Sequence, residues 1–96
     1  MQIKWLKKAL DDLHSEASYI SGNDLAAAKK IVTAVFTVID HLKENPGLGR
    51  PGRVIGTREL IVPNTPYIIP YRVNSRLQQV EILRVFHTSR KVPGKW

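Results

Sequence analysis

The 96-residue chain has no cysteine, which excludes a disulfide framework and a thiolate zinc site and leaves packing to hold it together. No apolar run approaches the ~20 residues that cross a bilayer. The opening MQIKWLKKALDDL has acids where a signal peptide keeps its apolar stretch, so the cytoplasm is the expected location, with no membrane partner. His14, His41 and His87 have no metal-ligand spacing, and GLGRPGR lacks the spacing of a phosphate-cradling loop. Neither a metal nor a cofactor is expected. Acidic side chains are scarce, eight against fifteen Lys and Arg, for a net charge of +7.

What is present describes an ordinary globular protein, 43% hydrophobic and 24% charged, expected to form one domain over residues 1–96 with a modest core. Its charge is divided unevenly. Residues 1–48 carry six lysines, six acids and no arginine. Residues 49–96 carry all seven arginines and two lysines against only Glu59 and Glu81. The planar guanidinium pairs with phosphates and carboxylates in bidentate fashion, so a polyanionic or acidic partner is the first expectation. A basic surface with no specific target is the plainer alternative.

The hydrophobic pattern gives an order of elements. QIKW alternates and suits a short opening strand. Leu6, Ala9, Leu10, Leu13, Ala17 and Ile20 recur at three and four, predicting a helix that ends near Ser21 and Gly22. Asn23 or Asp24 can cap a second helix, whose stripe runs Leu25, Ala28, Ile31, Val32, Val35, Ile39, Leu42 and ends at Pro46-Gly47. RELIV, YIIPYRV and VEILRVFH then read as an antiparallel meander after a mobile basic loop. Pro70 cannot donate to a ladder, which marks a bulge or an edge. The fold class expected is α+β: a short N-terminal strand and a two-helix hairpin packed on one face of a small antiparallel sheet.

Alternation along the strands places Arg58 with Leu60 and Val62, Arg72 with Ile68 and Pro70, and Arg84 with Val80, Ile82 and Phe86. On a sheet covered by helices on one side, those arginines are expected to converge on the open side as a cationic concavity. Arg50 and Arg53, in the loop before, complete the expected target-binding set Arg50, Arg53, Arg58 and Arg72. His87 leads into Thr88, Ser89, Arg90 and Lys91. An imidazole among cations is the arrangement that moves protons in phosphodiester cleavage while Arg or Lys stabilises the added charge. The candidate catalytic residues are therefore His87, Arg84, Arg90 and Lys91, with a hydrogen-bonded structural histidine as the plainer reading of His87. Trp96 is expected to pack on a neighbour.

Three stretches, ENPGLGRPGRV, TRELIV with TPYIIPYRV, and VEILRVFHTSRK, together with the order of elements, resemble the RelE/ParE superfamily of bacterial toxins from type II toxin–antitoxin modules. The resemblance implies a growth-inhibiting toxin neutralised by a cognate antitoxin, held in a hetero-oligomer through an acidic segment that folds as it binds. RelE-like members cut mRNA in the ribosomal A site, and ParE-like members poison DNA gyrase. EILRVFHTS resembles the ParE-type last strand, with its Arg and His at Arg84 and His87. The RelE pattern expects an arginine where this chain has Ile68, a basic residue near Ser89 and a tyrosine in the tail. The resemblance therefore implies DNA gyrase as target first, the ribosome and its mRNA second.

Overall fold

The computed structural model describes residues 1–90, 92–94 and 96. Strand β1 (Gln2–Trp5) leads into helices α1 (Lys7–Ser21) and α2 (Leu25–Asp40), and a single 3₁₀ turn at His41–Lys43 follows. Strands β2 (Arg50–Pro51), β3 (Arg58–Ile61), β4 (Tyr67–Asn74), β5 (Gln79–Ile82) and β6 (Phe86–His87) complete the chain. The Asp24 carboxylate accepts the Ala27 N–H at 3.1 Å, satisfying an amide that the first turn of α2 leaves free. Ala9, Leu13, Val35, Val38, Ile39 and Leu42 form the helical half of the core. Leu10 and Leu25, expected in the stripe, are 48% and 60% exposed at its margin.

The sheet runs β1-β5-β4-β3-β2, with β6 pairing β4 beyond the end of β5. All neighbouring pairs are antiparallel except β1 with β5, which is parallel. The sheet is otherwise antiparallel, as expected, and β1 lies along the outer edge of β5, tied by Gln2 N–H to Gln78 O and Leu6 N–H to Ile82 O, both at 3.0 Å. Register assigns the faces, because directly paired residues share a side. Leu60, Tyr67, Ile69, Tyr71, Val80 and Ile82 face the helices and complete the core. Arg72, Glu81, Lys4, Glu59 and Pro70 take the outer side.

Pro70 is at a bulge, as its missing donor predicts. Its carbonyl receives both Leu83 N–H at 2.9 Å and Arg84 N–H at 3.4 Å, so two residues stand opposite one. The run VEILRVFH is consequently two short strands, and the extra residue reverses the alternation beyond Ile82. Val85 enters the core, Phe86 pairs with Ile68 and His87 with Tyr67.

The basic loop at residues 47–53, which contains β2, is pinned, which corrects the expectation that it is mobile. The Tyr71 hydroxyl donates to Pro46 O at 2.7 Å and accepts Gly49 N–H at 2.8 Å, and the ring is fully buried. A Cβ on Gly49 would stand 2.7 Å from the Tyr71 ring, so only glycine lets the backbone approach this closely. Tyr71→Phe leaves a part-buried carbonyl and a buried amide without their partner. The expected cost is about 1–3 kcal/mol of unfolding free energy, read from the midpoint of urea denaturation at unchanged slope.

Candidate functional site

The carboxylates at Asp12 and Glu16, one turn apart on α1, face the chain as it leaves the bulge. Asp12 accepts Arg84 Nε at 2.7 Å and Nη2 at 3.0 Å, a bidentate pair, and also takes Val85 N–H at 3.0 Å. The guanidinium of Arg84 also lies 4.8 Å from the centre of the Phe86 ring. Glu16 is buried, bridging the Tyr67 hydroxyl, which donates at 2.9 Å, and the Arg90 guanidinium. Burial pushes the Tyr67 phenol up to about 12, with the hydrogen bond to Glu16 and its charge acting in the same direction. Tyr67 therefore stays protonated and holds Glu16 as a donor. Arg90 lies over Tyr19, 5.5 Å from the ring centre.

His87 meets the Tyr67 ring edge-on at 5.2 Å between centres. Its Nδ1 lies 3.2 Å from the Ser89 backbone nitrogen and 2.7 Å from Ser89 Oγ. His87, Arg84 and Arg90 thus lie at one end of the sheet, beside α1. Lys91 is outside the described residues. Among those residues, no three His, Asp or Glu side chains gather to hold a metal ion.

The arginines expected to converge are separated. Arg58 pairs in register with Tyr71, so it lies on the side of the sheet that carries the helices and donates to Gly49 O at 2.8 Å. Arg72 takes the outer side, ion-paired with Glu81 directly opposite on β5. Arg84 is turned by the bulge onto α1. The cationic concavity built from Arg58, Arg72 and Arg84 is therefore corrected: register alone puts Arg58 on the helix side and Arg72 on the outer side, and the residue inserted after Ile82 turns Arg84 toward Asp12 of α1. Arg72 and Arg84 still border one groove of about 500 Å³ on the outer side, together with Lys7 and Lys8. Arg50 and Arg53 converge on the buried Glu59 carboxylate, at 3.5 Å and 3.0 Å, with Arg53 N–H adding a second bond at 3.0 Å. Trp96 packs edge-on against Phe86, 6.0 Å between ring centres.

Sequence reasoning missed Asp12, Glu16 and Tyr67. A signal for Glu16 was present, since Ala9, Leu13, Glu16 and Ile20 fall on one helical stripe and an acid in an apolar stripe needs a buried partner. Nothing comparable marks Asp12.

Two predictions follow from these pairs. Asp12→Ala orphans a partly buried guanidinium and an amide, and should cost about 1.5–3 kcal/mol in urea unfolding. Asp11→Ala, which breaks only the exposed pair with Lys7, should cost no more than ~0.5 kcal/mol. The second prediction concerns acid. Burial raises Glu59, but hydrogen bonds from Arg53 and the charges of Arg53 and Arg50 bring it net below its ordinary 4.5. The Arg72 hydrogen bond likewise holds Glu81 below 4.5, against the opposing effect of burial. Lowered carboxylates contribute stability that is complete above 4.5 and is lost as pH falls through the folded-state values. Thermal unfolding of the wild type should therefore decline steeply below pH 4.5, and Glu59→Gln should flatten that decline.

Comparison with known proteins identifies a family by sequence and by fold. Residues 3–92 match the family model described as ParE toxin of type II toxin-antitoxin system, parDE. The chain is 42% identical over 92 residues to the Sinorhizobium fredii protein Y4kP, covering 96% of this chain and 93% of that one. It is 34% identical over 89 residues to the toxin RelE2 of Caulobacter vibrioides, covering 93% and 97%. A solved structure from a chromosomal ParDE toxin–antitoxin system of P. aeruginosa superposes with a TM-score of 0.79 at 31% identity, covering 91% of this chain and 95% of that one. A chain from the RelBE2 toxin–antitoxin complex of Mycobacterium tuberculosis gives 0.59 at 25% identity, covering 90% and 95%.

Proposed function

The chain belongs to the ParE toxin family of type II toxin–antitoxin systems, and from that premise we propose that it inhibits bacterial growth by poisoning DNA gyrase in the cytoplasm. A cognate antitoxin neutralises it in a hetero-oligomer, as the toxin–antitoxin assemblies among its structural neighbours suggest. Arg84, His87 and Arg90, with Lys91, carry the toxic activity, and Arg50, Arg53, Arg58 and Arg72 contribute to target contact.

One observation carries the choice of gyrase over mRNA. Arg84 and Arg90 are each paired with a carboxylate of α1, and Tyr67 is a committed donor to Glu16. Cleaving a phosphodiester needs cations free to meet the charge that develops in the transition state. Here both guanidiniums would first have to leave Asp12 and Glu16. That arrangement suits a toxin that grips a protein through shaped, internally braced contacts.

The second reading is a ribosome-dependent mRNA endonuclease. It is favoured by the likeness to the toxin RelE2 and to the RelBE2 chain, and by an imidazole within reach of Ser89 Oγ and close in sequence to Arg90. Induction without antitoxin separates the two. Gyrase poisoning predicts filamentation, DNA-damage signalling and loss of supercoiling by purified gyrase, with translation continuing. Rapid translational arrest with cut messages would establish the endonuclease instead. Arg84→Ala and His87→Ala should each reduce killing at least tenfold in a folded protein.

A further inference from the structure

The connection between β2 and β3 ends in an aliphatic tip that the contacts described so far do not use. Gly52 N–H donates to Thr57 O at 2.8 Å, and Val54 O receives both Thr57 N–H at 3.1 Å and Thr57 Oγ at 2.6 Å. Below them, Arg53 is bonded to Glu59 through backbone and side chain. Gly56 completes the turn at φ +83°, a conformation that a side chain would strain. The loop is thus held on several sides, and its geometry is set before any partner arrives. At its apex Ile55 is fully exposed, at 101% of its reference area, the most exposed of the large hydrophobic side chains among the described residues.

Single exposed hydrophobic residues are common and need no explanation by themselves. Two observations separate this one. Turn apices favour Gly, Asn, Asp and Ser, which satisfy the backbone and solvent together, and isoleucine offers neither advantage. Ile55 is also continuous with a larger surface. With Val54, Leu6, Leu83 and Trp96 it lines the outer groove of about 500 Å³, whose remaining charged residues are Lys7, Lys8, Arg72 and Arg84, with no acid among them. An apolar floor inside a rim of one charge sign is complementary to an apolar projection or pocket bordered by acids.

We propose that the Val54–Ile55–Gly56 tip and the groove behind it form the surface that grips the toxin's protein target, with Ile55 entering an apolar pocket whose rim is acidic. This rests on the reading that the toxin acts on a protein. A single-stranded nucleic acid is the poorer occupant: it seeks open aromatic platforms on which bases stack. Here the groove's one aromatic ring, Trp96, is engaged by Phe86. A rigid aliphatic knob gains nothing from phosphates and much from a desolvated pocket, as interface anchors do.

The test compares Ile55→Ser and Ile55→Leu with wild type, each induced without antitoxin, using colony counts as readout. Purified proteins are compared in urea unfolding and in capture of the protein encoded by the adjoining antitoxin frame. Ile55→Ser should lower killing at least tenfold while keeping the urea midpoint and antitoxin capture, and Ile55→Leu should retain most of the killing. Lys8→Glu should lower killing as well, through the rim. Undiminished killing by Ile55→Ser overturns the proposal. So does a parallel loss of killing and antitoxin capture, which would assign the tip to the antitoxin. Failure of the gyrase reading looks different: the wild type itself arrests translation. If Ile55→Ser no longer does so, the tip still meets the target but its acid-rimmed protein pocket falls with that reading; if the variant arrests translation equally, the tip has no part in target contact.

Discussion

Pro70 offers its neighbour a carbonyl but no amide hydrogen, and the strand beside it cannot remain in step. Two residues, Leu83 and Arg84, crowd onto that one carbonyl. The inserted position reverses which side chains point inward from there to the end of the sheet. Val85 fills the core, His87 comes beside Tyr67, and Arg84 turns to Asp12 on α1. Had the ladder continued unbroken, Arg84 would have fallen on the apolar side with Val80 and Ile82, an expensive place for a guanidinium without a partner. The candidate site is in this sense a product of the bulge, which joins the sheet's end to the first helix.

The second theme is where the positive charge goes. A net charge of +7 suggests a surface of free cations, yet most of the arginines have an internal acceptor. Asp12 holds Arg84, Glu16 holds Arg90, Glu81 holds Arg72, and Glu59 holds both Arg50 and Arg53. Glu16, Glu59 and Glu81 are themselves buried, a state they tolerate only with such partners. The guanidiniums consequently serve twice. They neutralise interior carboxylates, and they leave their outer nitrogens at the surface with a fixed orientation. Orientation of this kind favours recognition of a shaped partner over diffuse attraction to a polyanion.

Much of this fold was legible in the chain because local rules govern it. The three-and-four spacing located both helices, Asn23 or Asp24 was expected as the cap and Asp24 takes that place, and the side taken by Arg72 followed from strand alternation. Through the loss of its own donor Pro70 announced a bulge or an edge, and the structure has the bulge. What the residues could not announce was the bulge's effect on phase, because nothing local says which residue of Leu83–Val85 is the extra one. The parallel pairing of β1 was hidden for a related reason: it joins positions 2–5 to 79–82, and no short-range pattern encodes a contact at that separation. Among the site residues, Arg84, His87 and Arg90 were visible as chemistry-bearing types. Asp12 and Tyr67 acquire meaning only once α1 and β4 are brought together.

That same long-range pairing has a bearing on biosynthesis. β1 is made before both helices, and its one neighbour in the sheet among the described residues, β5, is made after both helices and β4. A growing chain can coil its helices early, but β1 must wait unpaired until positions 79–82 have emerged. Fragments released before Gln79 lack the partner on which the edge of the sheet is laid down. A sheet whose edge closes across this separation is finished only after the helices and the strands between them have been made.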